Sequence, residues 1–124
     1  MCGRIFIVDD DLDATELAAA VLTAEGYEVV GTALDGAEAV LRYRALPRVP
    51  DLIIMDFQLP DRSGVALAEE LRRRDAGVVI LGCSGWWEAA TAFHRLGRCL
   101  FLGKPYSPPE LVAAVDLALA GIVR

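Results

Sequence analysis

Cysteine is scarce in this chain. There are three among 124 residues, an odd number with no Cys-x-x-Cys pair, which argues against both a disulfide framework and a zinc site. A reducing cytoplasm is the expected compartment. Long hydrophobic runs are lacking as well. Runs such as Leu52–Met55, Val78–Leu81 and Leu111–Val115 are far short of the ~20 residues that span a bilayer. The N-terminal stretch carries Arg4 and then Asp9, Asp10 and Asp11, which is no signal-peptide pattern. Basic charge is in the minority, with 12 Lys and Arg against 18 Asp and Glu and a net charge of −6. A field of that sign repels nucleic acid, so no nucleic-acid partner and no membrane are expected. Low-complexity tracts, linkers and long-period repeats are also missing.

What is present is apolar. Hydrophobic residues make up 55% of the chain and mean hydropathy is +0.41, which excludes intrinsic disorder. At 13.4 kDa the chain fits one domain over residues 1–124, large enough to bury a core without cross-links. With one domain filling the chain, a separate DNA-binding domain is not expected.

Short β-rich runs alternate with helical patterns. Strands are expected at Arg4–Val8, Tyr27–Thr32, Asp51–Met55, Val78–Gly82 and Cys99–Leu102. Their nearly continuous apolar character is that of strands buried on both faces. Helices are expected near Asp13–Glu25, Asp35–Ala45, Ser63–Arg74, Trp86–Arg95 and Ser107–Val123. Five β-α units in succession predict an α/β fold, a doubly wound parallel sheet with helices on both faces. Asp13 with Glu16, Asp35 with Glu38 and Ser107 with Glu110 have capping-box spacing, and Pro108 suits a first helical position. Gly26 and Gly77 follow helices where left-handed caps are expected.

In such sheets ligands bind beyond the carboxyl ends of the strands. The first strand ends in Asp9-Asp10-Asp11, the third in Asp56, the fourth in Cys83-Ser84-Gly85 and the fifth in Gly103-Lys104-Pro105. The fold would bring these ends to one edge. Clustered carboxylates repel one another, and a hard divalent cation such as Mg²⁺ relieves that conflict. A carboxylate can also serve as a nucleophile and form an aspartyl phosphate. Lys104 offers charge to a phosphoryl group, Ser84 a hydrogen bond, and Gly85 an unobstructed N–H. Taken singly, Ser84 reads as a helix cap and Lys104 as a solvated surface residue; Asp11 and Asp13 read as helix-start residues only. Asp56, directly after Leu-Ile-Ile-Met, has no such simple reading.

These residues resemble the receiver domain of two-component response regulators, over essentially the whole chain. Ile5-Phe6-Ile7-Val8-Asp9-Asp10-Asp11 is similar to the family's first strand and acidic pair. Asp51-Leu-Ile-Ile-Met-Asp56-Phe-Gln-Leu-Pro60-Asp-Arg-Ser-Gly64 resembles its phosphoacceptor strand and following loop. Ser84-Gly85 and Lys104-Pro105 match its remaining two motifs. The resemblance implies a flavodoxin-like five-stranded sheet of order 2-1-3-4-5. It implies Asp56 as phosphoacceptor, and Mg²⁺ (or Mn²⁺) held by Asp10, Asp56 and the backbone carbonyl of Gln58, with Asp9 assisting through water. Ser84 and Lys104 would contact the phosphoryl group, Ser84 and Phe101 would form the switch, and Lys104–Pro105 would be cis. The implied partners are a sensor histidine kinase or histidine phosphotransferase, and a downstream protein that reads the surface of the fourth helix, fifth strand and fifth helix. The domain would catalyse its own phosphorylation and dephosphorylation. Two other readings remain at this point: a degenerate receiver that binds without phosphorylation, and an acid-nucleophile phosphatase, disfavoured because Gln58 stands where an Asp would follow the nucleophile.

Several residues have both plain and sharper readings. One of Trp86 and Trp87 is expected to pack under the fourth helix; alternatively Trp86 covers the phosphorylation site and, with Gln58, sets phosphate lifetime. In the last helix Leu111, Val115, Ala118, Leu119 and Ile122 should face the sheet. That leaves Val112, Ala113, Leu117 and Ala120 outward, either as a tolerated surface or as a homodimer contact. Arg72-Arg73-Arg74 reads as a solvated helix end, His94 as a surface residue, and Cys83 and Cys99 as small core residues.

Overall fold

Runs rich in Ile, Val and Leu become strands because both their faces find apolar partners. The computed structural model describes residues 3–121. It contains β1 (Arg4–Val8), α1 (Leu12–Ala24), β2 (Glu28–Ala33), α2 (Gly36–Arg44), β3 (Leu52–Asp56), α3 (Gly64–Arg72), β4 (Val79–Ser84), α4 (Ala89–His94), β5 (Cys99–Gly103) and α5 (Pro108–Leu119). The sheet has the order β2-β1-β3-β4-β5, with every pair parallel. The expected doubly wound α/β sheet is therefore what forms.

Alternating side chains divide the core in two. Phe6, Val8, Ile53, Met55 and Ile80 pack with residues of α2, α3 and α4, among them Tyr43, Leu67 and Phe93. Ile5, Ile7, Ile54, Leu81 and Cys83 pack with α1 and α5 through Leu22, Leu111 and Val115. Each such aliphatic side chain contributes roughly 1.5–3 kcal/mol on burial. Full burial on both faces holds for β3 and nearly so for β1 and β4, whereas β2 and β5 are edge strands and only partly covered.

Capping explains most helix starts. Ser107 and Glu110 form a reciprocal capping box with Pro108 in the first turn. Asp11, rather than Asp13, caps α1 by accepting from the Ala14 N–H. Asp35 caps α2, but Glu38 accepts from the Leu34 N–H instead of closing a box. Gly26 has the expected positive φ of 94°, while Gly77 does not; Gly97 at 70° ends α4 in its place. The expected start of α4 at Trp86 is also corrected. The helix begins at Ala89, after a turn, with no side-chain cap. Nothing between Ser84 and Ala89 offers a Ser, Thr, Asp or Asn at the right offset to hold the first turn.

Two further expectations change. Arg72 is not a solvated helix end. Its guanidinium donates to the carbonyls of Val78, Leu96, Gly97 and Arg98 at 2.7–3.1 Å; Arg73 and Arg74 are exposed as expected. Asp116, the one charged residue from Leu111 to Val123, receives the Tyr27 hydroxyl, which joins α5 to the start of β2. Along α5, Leu111, Val115 and Ala118 are buried and Leu117 exposed as anticipated, but Val112 is half-buried. Ile122 and Val123, placed in this helix by the sequence reading, lie outside the described residues, as does Cys2.

Candidate functional site

The parallel sheet sends the ends of β1, β3, β4 and β5 to the same edge, and the side chains singled out in the sequence meet there. Asp9 follows β1 and is 6% exposed; Asp56 is the last residue of β3 and is 8% exposed. Two buried carboxylates side by side require compensation, and Lys104 supplies it. Its Nζ lies 2.8 Å from Asp9 Oδ2 and 3.0 Å from Asp56 Oδ1. The second Asp9 oxygen accepts the Asp11 N–H at 2.9 Å, so both of its oxygens are engaged. Asp10, one residue on, is exposed. Oxygens of Asp9, Asp10 and Asp56 lie within 4.8 Å of one another.

The electrostatics follow from this placement. Burial raises the Asp56 pKa, opposed by the hydrogen bond and charge of Lys104 and reinforced by Asp9 and Asp10. For Lys104, burial acts to lower its pKa, but hydrogen bonds and charge from Asp9 and Asp56 prevail and raise it, so the ammonium stays charged. One lysine cannot neutralise three carboxylates. A hard cation with oxygen ligands suits this donor set, and the exposed Asp10 leaves it an open approach. The residues present fit Mg²⁺ or Mn²⁺.

The remaining expected residues surround the cluster. Ser84 ends β4 and is buried; its Oγ accepts the Trp86 N–H at 2.9 Å. The Lys104 N–H donates to the Ser84 carbonyl at 2.9 Å, and Lys104–Pro105 is cis. Gln58 is exposed and pairs in an isolated bridge with Ser63. Gly64 must be glycine, since a Cβ there would overlap the Asp56 carbonyl oxygen. Trp86 and Trp87 are 50% and 75% exposed, so neither packs under α4. Trp86 instead rests against Phe57, the neighbour of Asp56, with ring centroids 5.7 Å apart.

Three features escaped the sequence reading. Phe57, Phe93 and Phe101 form a chain of ring contacts at 5.9 and 6.3 Å, linking the residue beside Asp56 to α4 and β5. Their spacing in sequence carries no sign of it. Thr15 is buried, and its hydroxyl donates to the Asp9 and Asp11 carbonyls at 3.2 and 2.9 Å, securing the loop that presents the acids; a threonine four residues past a cap was the available signal. Between α1 and α5 an apolar groove of about 490 Å³, lined by Leu17, Val21, Tyr106 and Leu111, reaches Lys104 at the site.

Comparison with known proteins agrees with this geometry. The profile of the response regulator receiver domain matches residues 5–116. The chain is 32% identical over 118 residues to the chemotaxis protein CheY of Thermotoga maritima, covering 94% of this chain and 97% of that one. It is 36% identical to the transcriptional regulatory protein PdtaR of Mycobacterium tuberculosis over 94% of its own length, but spans only 57% of that protein. Among solved structures, a putative response regulator from Chloroflexus aurantiacus superposes with a TM-score of 0.84 at 33% identity, covering 97% of this chain and 99% of that one. CheY4 of Vibrio cholerae gives 0.86 at 25% identity, covering 96% and 100%. A profile match over most of the chain, near-complete coverage of a CheY relative and the same sheet order establish that this chain belongs to the response regulator receiver domain family of two-component systems.

Proposed function

We propose that the chain, taken as one receiver domain over residues 1–124, accepts a phosphoryl group on Asp56 from a phosphohistidine of a sensor histidine kinase or histidine phosphotransferase. The observation that carries this reading is Lys104 Nζ bridging Asp9 and Asp56 at 2.8 and 3.0 Å. An ammonium in that position orients the Asp56 carboxylate and meets the charge of an incoming phosphoryl group. An Asp56 oxygen attacks phosphorus in line; the P–N bond breaks, its electron pair returns to the imidazole, and an acyl phosphate remains on Asp56. Asp10, Asp56 and the Gln58 backbone carbonyl would hold Mg²⁺ or Mn²⁺, with Asp9 assisting from further out. The cation would supply neutralisation of the phosphoryl oxygens.

Ser84 then turns its hydroxyl toward the phosphoryl oxygens, and Phe101 follows inward. The surface of α4, β5 and α5 changes for a downstream protein. The apolar groove beside Lys104 offers a donor protein a docking edge next to the acceptor. We place the protein in the cytoplasm, acting by protein contact without nucleic acid or membrane; among the described residues no helix is long and apolar enough to cross a membrane.

The test is incubation with acetyl phosphate and Mg²⁺, followed by intact-mass measurement. One acid-labile phosphate per chain, absent in Asp56→Asn, is the expected result. No adduct would favour a binding module that works unphosphorylated, and release of many equivalents of phosphate from diverse esters would favour a phosphatase.

A further inference from the structure

We propose that Arg72 is a positioning residue that makes the C-terminal end of α4 a fixed pivot, so that the switch moves only the tryptophan-bearing end of this helix. The inference rests on the phosphoacceptor reading above. Arg72 ends α3, and its planar fork reaches four carbonyls on two other segments. Nε and Nη2 share Val78 O at 3.1 and 2.8 Å, Nη1 reaches Leu96 and Gly97 O at 3.0 and 2.7 Å, and Nη2 also reaches Arg98 O at 2.8 Å. The Arg98 carbonyl additionally accepts the Ile80 N–H at 3.0 Å. One charged group thus ties α3, the entry to β4 and the α4–β5 turn. It places a cation on the carbonyls of the turn that follows α4, while Thr91, Phe93 and His94 at the helix end accept the N–H groups of Arg95, Leu96 and Gly97. Charge-assisted bonds of this kind are about twice as strong as neutral ones.

The other end of α4 contrasts with it. Glu88 stands at the cap position without a side-chain hydrogen bond, and Trp86, Trp87 and Glu88 are exposed. Two ties hold this end to the site: the Trp86 N–H to Ser84 Oγ and the Trp86 ring to Phe57. Both partners belong to the phosphorylation site or adjoin it. When Ser84 rotates to donate to a phosphoryl oxygen, the Trp86 N–H loses its acceptor and the weaker end is released. Phe93, the next-to-last residue of α4, is wholly buried on the pivot side and in ring contact with Phe101. A lysine at position 72 would keep the charge but could not span four carbonyls.

Amide hydrogen exchange read by mass spectrometry tests the pivot, on the full chain with and without beryllofluoride and Mg²⁺ as phosphoryl mimic. In the wild type the mimic should alter exchange at residues 85–89 and leave 95–99 unchanged. Tryptophan fluorescence should shift with it, since both tryptophans of the chain lie at the moving end. Arg72→Met should accelerate exchange at 97–99 by about tenfold without the mimic while β1 and β3 stay protected, and the mimic's effect should now extend to 95–99. Arg72→Lys should fall between the two. Acetyl phosphate labelling of Asp56 should stay within about twofold of wild type in both variants, because Arg72 contacts neither Asp56 nor Lys104. Equal responses at 85–89 and 95–99 in the wild type would overturn the pivot while leaving the acceptor reading intact, as would unchanged exchange at 97–99 in Arg72→Met. A wild type that forms no adduct and shows no response anywhere would remove the acceptor reading and the pivot together.

Discussion

Lys104 shows how much one side chain can settle. Without it, Asp9 and Asp56 would be two buried carboxylates repelling each other; with it, one oxygen of each is held within 3.0 Å of a cation. Trp86 belongs to the same scale. Its indole packs on Phe57, one residue from the acceptor, while remaining half exposed. We propose that a ring there limits the approach of water to an acyl phosphate on Asp56. Such ring contacts are worth about 0.5–1.5 kcal/mol, so Trp86→Ala is expected to shorten the phosphate half-life between about twofold and tenfold. Following loss of radiolabel from purified phosphoprotein measures this, and an unchanged half-life would reject the role. Asp56 was legible in the sequence because it ends an apolar strand run, where an acid is conspicuous; Ser84 and Lys104, which singly read as a cap and a surface residue, became legible only together with it at the strand ends. Arg72 was not. Three consecutive arginines look solvated, and only the approach of the α4–β5 turn, with three carbonyls, and of Val78, with the fourth, engages one of them.

Among the elements, boundaries followed capping chemistry wherever a cap was present. The Ser107–Glu110 box starts α5, and Ser107→Ala should cost about 1 kcal/mol in urea unfolding, with an unchanged slope. The start of α2 depends on a distant residue. Asp61, in the loop after β3, accepts from the Gly36 and Ala37 N–H groups at 2.8 and 2.9 Å. These bonds favour the ionised form and lower its pKa. A carboxylate whose folded pKa lies below its unfolded value stabilises fully above the unfolded value, and the benefit is lost as pH falls through the folded one. Asp61→Asn should therefore lower thermal stability near pH 7, with the gap to wild type closing below about pH 4. A gap independent of pH would show that shape rather than charge matters at this loop. The short α4 was misread from sequence for the opposite reason: its first turn has no cap, so the apolar pattern beginning at Trp86 ran three residues beyond the helix.

For the whole molecule, charge and apolar surface define what can bind. The acidic cluster lies at the carboxyl edge, the apolar groove opens beside it, and Leu17 on α1 and Leu117 on α5 are 59% and 53% exposed. A homodimer through α5 is expected to bury Leu117. Light scattering with and without beryllofluoride should then show twice the monomer mass in at least one state, and Leu117→Glu should abolish it. A monomer in both states at high concentration would assign the exposed leucines to other partners or to plain tolerance.

The alternation of apolar runs and helical patterns was enough to determine the α/β class, because two-sided burial of strands is written into local composition. Acids after β1 and at the end of β3, and lysine after β5, likewise announced a polar edge, since parallel strands all deliver their ends to one side. Tertiary structure alone decided which oxygens Lys104 bridges, that Phe57, Phe93 and Phe101 touch, and that Arg72 closes on Val78, Leu96, Gly97 and Arg98. These are contacts between residues distant in the chain, and they depend on the packing angles of whole elements, which no local pattern encodes.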